Sequence, residues 1–255
     1  ISAIEYSYNL YLIIVGVFSY TLSNIIFPEL SKLTADNDSE NTKSLLNRSV
    51  KISLLFIIPM SVGIGLLSQN IIRLIYERGE FTPHSTILTG SALFFYAFGM
   101  IGYGLMEILN KAFYAMQDSK IPMYMSGFAI LLNILLSITF VKNMGYTGLP
   151  LASSVTSIVT ACFMLYIVNR KNPGIVENNS LSELCKVLIG GLAMGGVVAI
   201  VKGFVVSSTI IRLTASIAIG IIVYFAVLFF IKSETISLGI ELFKKRKQRR
   251  EIKLV

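Results

Sequence analysis

The sequence predicts an all-α integral membrane protein with about seven transmembrane helices. Three observations carry this prediction. Of the 255 residues, 54% are hydrophobic and only 14% are charged, where a soluble domain carries about 25% charged residues. Mean hydropathy is +0.73. The charges crowd into short segments and leave charge-free windows. Several of these windows reach the roughly 20 residues needed to cross a hydrocarbon core about 30 Å thick. They are about two to three times longer than a barrel strand and lack its alternation, which argues against a β-barrel.

The first window covers residues 6–28 and carries Asn9, Ser19, Thr21, Ser23 and Asn24. After it comes the longest polar linker, with Asp36-Asn37-Asp38-Ser39-Glu40; the spacing of Leu45, Leu46 and Val50 within it predicts a short surface helix. The second window, 52–72, contains Pro59 followed by Gly63 and Gly65. Proline there frees backbone groups and permits a bend. Thr82-Pro83 reads as an N-cap followed by proline at the first helical position, opening the third window at 85–106. Asp118-Ser119-Lys120-Ile121-Pro122 reads as a tight turn into the fourth, 121–141. The fifth, 147–169, stops at Asn172-Pro173-Gly174. The sixth, 186–206, is glycine-rich, and the seventh, 213–231, is mostly aliphatic and aromatic. This shift near residues 170–182 divides the chain into a five-helix unit (1–169), a helix pair (170–232) and a basic tail (233–255).

The net charge is +8, and eight of the 22 Lys and Arg residues lie between Lys232 and Val255. Because the run Lys244–Arg250 directly follows hydrophobic segments, it reads as a topology anchor and not as a nucleic-acid site. With the tail in the cytoplasm, the inside linkers hold nine Lys and Arg and the outside linkers five, as the positive-inside rule requires. The chain begins at Ile1 and enters a membrane window almost at once, so the reading expects a missing N-terminal part.

No catalytic constellation stands out. His84 is the only histidine and sits in a loop. Cys162 and Cys185 lie in or beside apolar segments with no metal-ligand partners nearby and read as small hydrophobes. No phosphate-binding loop, dinucleotide fingerprint or metal-ligand spacing is present, so neither an enzyme nor a bound cofactor is expected. The unusual feature is polarity inside the windows. Asn133 and Ser137 lie four apart on one helix face, and the fifth window carries Ser153, Ser154, Thr156, Ser157 and Thr160. Polar groups in lipid are costly without partners or water. Taken one at a time these residues read as interhelical hydrogen bonds; taken together they predict a cavity. Glu107 and Lys111, four apart, read as an ion pair across one turn or as a direct substrate contact.

Four runs, in order, carry a resemblance: Ile25-Ile26-Phe27-Pro28-Glu29-Leu30-Ser31, Ile71 through Thr82, Ala112 through Pro122, and Gly145 through Ser154. In them the chain resembles the MurJ/MviN family of the MOP transporter superfamily. The resemblance implies a lipid II flippase of the bacterial inner membrane that works by alternating access between two six-helix lobes followed by two accessory helices. It implies that 1–169 is five helices of the second lobe, that the accessory pair follows, and that the N-terminal lobe is the missing partner, with lipid II and membrane lipid as ligands. The substrate-cavity candidates are Asn9, Asn24, Glu107 and Lys111. Asn9 stands where the family often has arginine, in Tyr6-Ser7-Tyr8-Asn9-Leu10. Asn133, Ser137 and Ser153 match a site at which some relatives bind Na+ as a coupling ion. Another MOP-type transporter, for polysaccharide lipids or drugs, and a non-transporting membrane scaffold are the alternatives.

Overall fold

The computed structural model describes residues 2–175, 178–204 and 208–235. Among them are seven α-helices and one 3-10 turn, with no strand: α1 (Ser2–Ala35), α2 (Ser39–Tyr76), α3 (Pro83–Ala115), α4 (Lys120–Met144), the 3-10 turn (Gly145–Thr147), α5 (Gly148–Lys171), α6 (Asn178–Phe204) and α7 (Thr209–Phe230). Each helix carries one expected window, but the fifth window begins in the 3-10 turn, the seventh ends one residue past α7, and residues 205–206 of the sixth lie outside the described residues. By length and composition, six stretches can cross a membrane, because Lys120–Lys171 counts as one. Gly145, with φ of +63°, divides that stretch into α4 and α5. The Lys244–Arg250 run lies outside the described residues.

The helices outrun the windows, and the excess is informative. The short surface helix expected around Leu45, Leu46 and Val50 is not separate. Asp38 caps α2 by accepting from the Asn41 amide, and the helix then runs unbroken to Tyr76. Leu46, wholly buried, packs in one cluster with Leu30, Ile108, Leu109 and Phe113, which draws the polar linker into the helix. Pro28 likewise lies inside α1. The expected Thr82 cap is present, accepting from the Ser85 amide with Pro83 in the first turn. α3 ends where Gln117 takes φ of +58°. The Gln117 amide donates to the Tyr114 carbonyl and the Asp118 amide to the Phe113 carbonyl. Asp118 then pairs with Lys171 at the end of α5.

α2 is the hub. It shares one buried cluster with α1 and α3 around Tyr11, Ile57, Leu93 and Met100, and another with α6 and α7 around Leu55, Ile58, Met194 and Tyr224. Pro59 has no amide hydrogen, so the Leu55 carbonyl one turn back loses its helical donor. The Tyr224 hydroxyl of α7 donates to that carbonyl at 2.7 Å. The accessory pair is thus fastened to α2 at its proline.

α3 and α5 run parallel in close contact. A Cβ on Gly102 would sit 2.4 Å from the Ile158 nitrogen and the Ser157 carbonyl carbon, so only glycine allows this approach. α4 leans on α5 and buries only Pro122.

Candidate functional site

In lipid, each polar side chain must find a partner within the protein or face water. Several hydroxyls expected to line a cavity are instead spent on helix contacts. Ser154 donates to the Phe95 carbonyl at 2.7 Å and Ser157 to the Gly99 carbonyl at 3.0 Å, joining α5 to α3. Outside the expected set, Ser61 makes the same kind of bond, joining α2 to the Ala97 carbonyl of α3 at 2.7 Å. Ser23 bonds back to the Ser19 carbonyl within α1. Thr156, Thr160 and the Ser19 hydroxyl are enclosed without a partner among the described residues. The collective cavity reading therefore fails for these residues. Small side chains bring the backbones so close that the hydroxyls reach carbonyls or are sealed in.

The four cavity candidates separate into two groups. Asn9 and Asn24 both lie on the exposed flank of α1, about 22 Å apart at 1.5 Å per residue. Glu107 and Lys111 are half-buried on α3. Among the described residues they do not close the expected ion pair. The Lys111 ammonium lies over the Phe27 ring, 5.8 Å from its centroid, where the ring face attracts it. Phe27 is three residues from Asn24, so Asn24, Glu107 and Lys111 gather toward one end of the bundle while Asn9 stays near the other.

Asn133 and Ser153 do meet. The Asn133 amide donates to the Ser153 hydroxyl at 3.3 Å, linking α4 to α5. Ser137 lies one turn further along α4, half-buried. No group of three or more His, Cys, Asp or Glu is placed to hold a metal ion among the described residues.

Two arrangements carried no sequence signal. The first is a clasp on Glu183, which is buried near the start of α6. Its carboxylate accepts from Ser233 Oγ at 2.6 Å, Thr235 Oγ1 at 2.8 Å and the Thr235 amide at 3.3 Å. Lys186 Nζ pairs with it at 2.7 Å. Beside the clasp lies a cavity of about 170 Å³ lined by Asn47, Lys51, Leu54, Leu165, Leu184 and Val187, among others. The second is a column of tyrosines. Ring centroids lie 5.6 Å apart for Tyr8 and Tyr96, 5.3 Å for Tyr11 and Tyr96, and 6.0 Å for Tyr11 and Tyr103.

These features define a multi-pass α-helical membrane protein: a five-helix unit with close glycine and serine contacts, to which a two-helix unit is fastened. The family described as "Lipid II flippase MurJ" matches residues 1–217, and the chain belongs to that family. It is 29% identical over 198 residues to a probable lipid II flippase MurJ of Rhizobium tropici, covering 78% of this chain and 37% of that protein. Over 165 residues it is 32% identical to the lipid II flippase MurJ of Thermosipho africanus, covering 65% and 34%. A solved structure, "Lipid II flippase MurJ, inward closed conformation", superposes with a TM-score of 0.76 at 29% identity, covering 91% of this chain and 47% of that one. The chain thus spans half or less of the length of these relatives.

Proposed function

We propose that this chain is the C-terminal part of a flippase that moves undecaprenyl-linked lipid II across the bacterial inner membrane by alternating access. The observation that carries the reading is the family match over residues 1–217. The fold likeness over 91% of the chain supports it. The five-helix unit acts as one rocking body, and the accessory pair, fastened at Leu55, moves with it. The missing partner is an N-terminal lobe, and the basic tail lies in the cytoplasm. The test is depletion rescue by the intact encoding gene in a bacterium stripped of its own flippase. Rescue is expected; failure despite normal membrane expression refutes the reading.

Na+ is the proposed coupling ion. The Asn133 carbonyl oxygen with the Ser137 and Ser153 hydroxyls offers neutral oxygen donors, a set that suits a hard monovalent cation held weakly. The Asn133–Ser153 contact supports this placement. Asn133→Leu in the intact protein is expected to abolish sodium dependence, and unchanged dependence sinks the ion site.

A further inference from the structure

The cavity beside Glu183 lies at the seam between the five-helix unit and the helix pair, and its lining is ordered. Asn47 meets Ser180, Ile58 faces Gly191, and the Leu66 carbonyl accepts from Lys202. α2 and α6 therefore run parallel and in step, and the cavity has matching levels along both. Asn47 and Ser180 stand at one end, Lys51 and Glu183 in the middle, and Leu54 and Val187 at the other. Asn47 and Leu54 are about 10 Å apart along the helix at 1.5 Å per residue. The apolar windows of these two helices open at residues 52 and 186. The polar levels thus lie at the membrane edge and the apolar level in the first turn inside it, on the side where the basic tail begins.

α5 supplies the far wall through Leu165. α5 packs on α3 and α4, and α6 packs on α2 and α7, but α5 and α6 make no substantial contact with each other. Val50, Leu54, Leu165 and Leu184 are only half-buried, so the cavity opens at its side, where these two helices stand apart. An engineered apolar cavity of about 150 Å³ holds a ring of six carbons. At about 170 Å³, this one takes roughly six carbons of a chain. Its polar end is built from enclosed side chains: Asn47 is 6% exposed and Lys51 9%. Asn47 Oδ1 accepts from Ser180 Oγ at 3.3 Å, and its Nδ2 donates to no described residue. The Glu183 carboxylate is answered by Lys186, Ser233 and Thr235. Lys51 is the cation of the described lining, and an ammonium with three hydrogens serves a bound oxyanion beside any other acceptor.

We propose that this cavity seats a resident membrane phospholipid, its phosphate on Lys51 and Asn47 and one acyl chain along Leu54, Leu165 and Val187. The cation and the amide donor suit an oxyanion, and the aliphatic side chains suit hydrocarbon. The order of the levels is the order of headgroup and chain in a leaflet. The side opening lets the lipid enter from the bilayer without crossing the protein. α1, which carries Asn9 and Asn24, packs on α2 and α3, so the seat is apart from those candidates. The lipid is a fixed component of the seam and not cargo. It fills the gap that α5 and α6 leave, and it joins the helix pair to the five-helix unit beside the bond from Tyr224 to the Leu55 carbonyl.

The test uses the intact protein in phosphatidylcholine nanodiscs doped with a photoactivatable phosphatidylglycerol, its diazirine partway along one chain, and adducts are mapped by mass spectrometry. A diacylglycerol with the same chains and no phosphate is the second probe. Adducts at Leu165 and Leu184 are expected about tenfold more often with the phospholipid than with diacylglycerol, the weight of one charge-assisted contact. Ile134, on the exposed face of α4, reports the ordinary lipid shell and is expected to label alike with both. Lys51→Gln is expected to remove the preference for the phospholipid. Leu184→Trp, which fills the cavity and keeps the charge, is expected to cut labelling at Leu165 by both probes about tenfold. Equal labelling of the seam by the two probes in the unaltered protein overturns the seat, and this comparison stands even where a variant fails to fold. Unchanged labelling in folded Lys51→Gln and Leu184→Trp proteins also overturns it. So does labelling that appears only after residues 236–255 are removed, because the chain's own tail then occupies the cavity. The flippase reading survives each of these results.

Discussion

Replacing Tyr224 by Phe removes a single oxygen, but one that stands in for a missing backbone donor. Pro59 leaves the Leu55 carbonyl without its helical partner, and the Tyr224 hydroxyl supplies a substitute at 2.7 Å. The ring itself is 1% exposed, and Phe preserves that packing. A buried carbonyl stripped of its donor costs about 1–3 kcal/mol, whereas hydrogen bonds between membrane helices average about 0.6 and reach about 1.7 kcal/mol. An expected loss of about 1–2 kcal/mol follows, at the upper end for a membrane bond because no helical donor competes for this oxygen. The partner experiment is Pro59→Ala, which restores an amide hydrogen one turn from Leu55. In that background Tyr224→Phe is expected to cost less than about 0.5 kcal/mol. Unfolding free energies of the four proteins, measured by steric trapping in bicelles, give the coupling directly. An equal Tyr224→Phe cost in both backgrounds refutes the claim that the hydroxyl replaces the proline's missing donor.

Gly102→Ala forces a methyl group to within 2.4 Å of the α5 backbone; a loss of about 1–3 kcal/mol is expected. Gly127→Ala, which meets nothing within 4 Å, is expected to be neutral or slightly stabilising by the same assay. Glu183→Gln weakens the hold on residues 233–235 and strips Lys186 of its counter-charge. A loss of about 1–3 kcal/mol is expected, together with faster labelling of a cysteine introduced at position 234. Glu77, in the loop before α3, is held below its ordinary pKa of 4.5 first by the Thr86 hydroxyl and then by Arg73. A lowered folded-state pKa means that the stabilisation is complete above pH 4.5 and is lost as pH falls through the folded value. Amide exchange across residues 77–82 is therefore expected to stay slow from neutral pH down to that point, once corrected for intrinsic rates, and to quicken below it. Glu77→Gln should flatten this response; an identical pH profile in that variant counts against the assignment.

Much of the architecture is legible in the sequence because lipid imposes a simple rule of length and apolarity. The seven windows, the Thr82-Pro83 start and the turn at Asp118 all follow from local chemistry. Helix lengths are less legible. The start of α2 looks polar and loop-like, and it becomes helix only because Leu46 finds Leu30, Ile108 and Phe113 in space. The candidate site divides in the same way. Asn133 bonds to Ser153 on the next helix, a pairing that their separation of 20 residues does not announce, and Lys111 lies over the Phe27 ring instead of pairing with Glu107, a choice set by a different helix. Pro59 announces an orphaned carbonyl without naming its donor, which lies 169 residues later. The Glu183 clasp leaves no trace at all, since Ser233 and Thr235 are ordinary residues until the fold brings them to the carboxylate.

That clasp also bears on how the chain is made. Glu183 enters the membrane region early in α6, while two of its partners, Ser233 and Thr235, are 50 and 52 residues further along. At about 5–20 residues per second, the carboxylate waits roughly three to ten seconds with only Lys186 beside it. Until then α6 has one charge pair near its end and packs on α2 without its later neighbour. A chain that stops at the end of α7 therefore has the two helices packed through Val187, Tyr224 and Leu228 but leaves the Glu183 carboxylate without the Ser233 and Thr235 donors that complete the clasp.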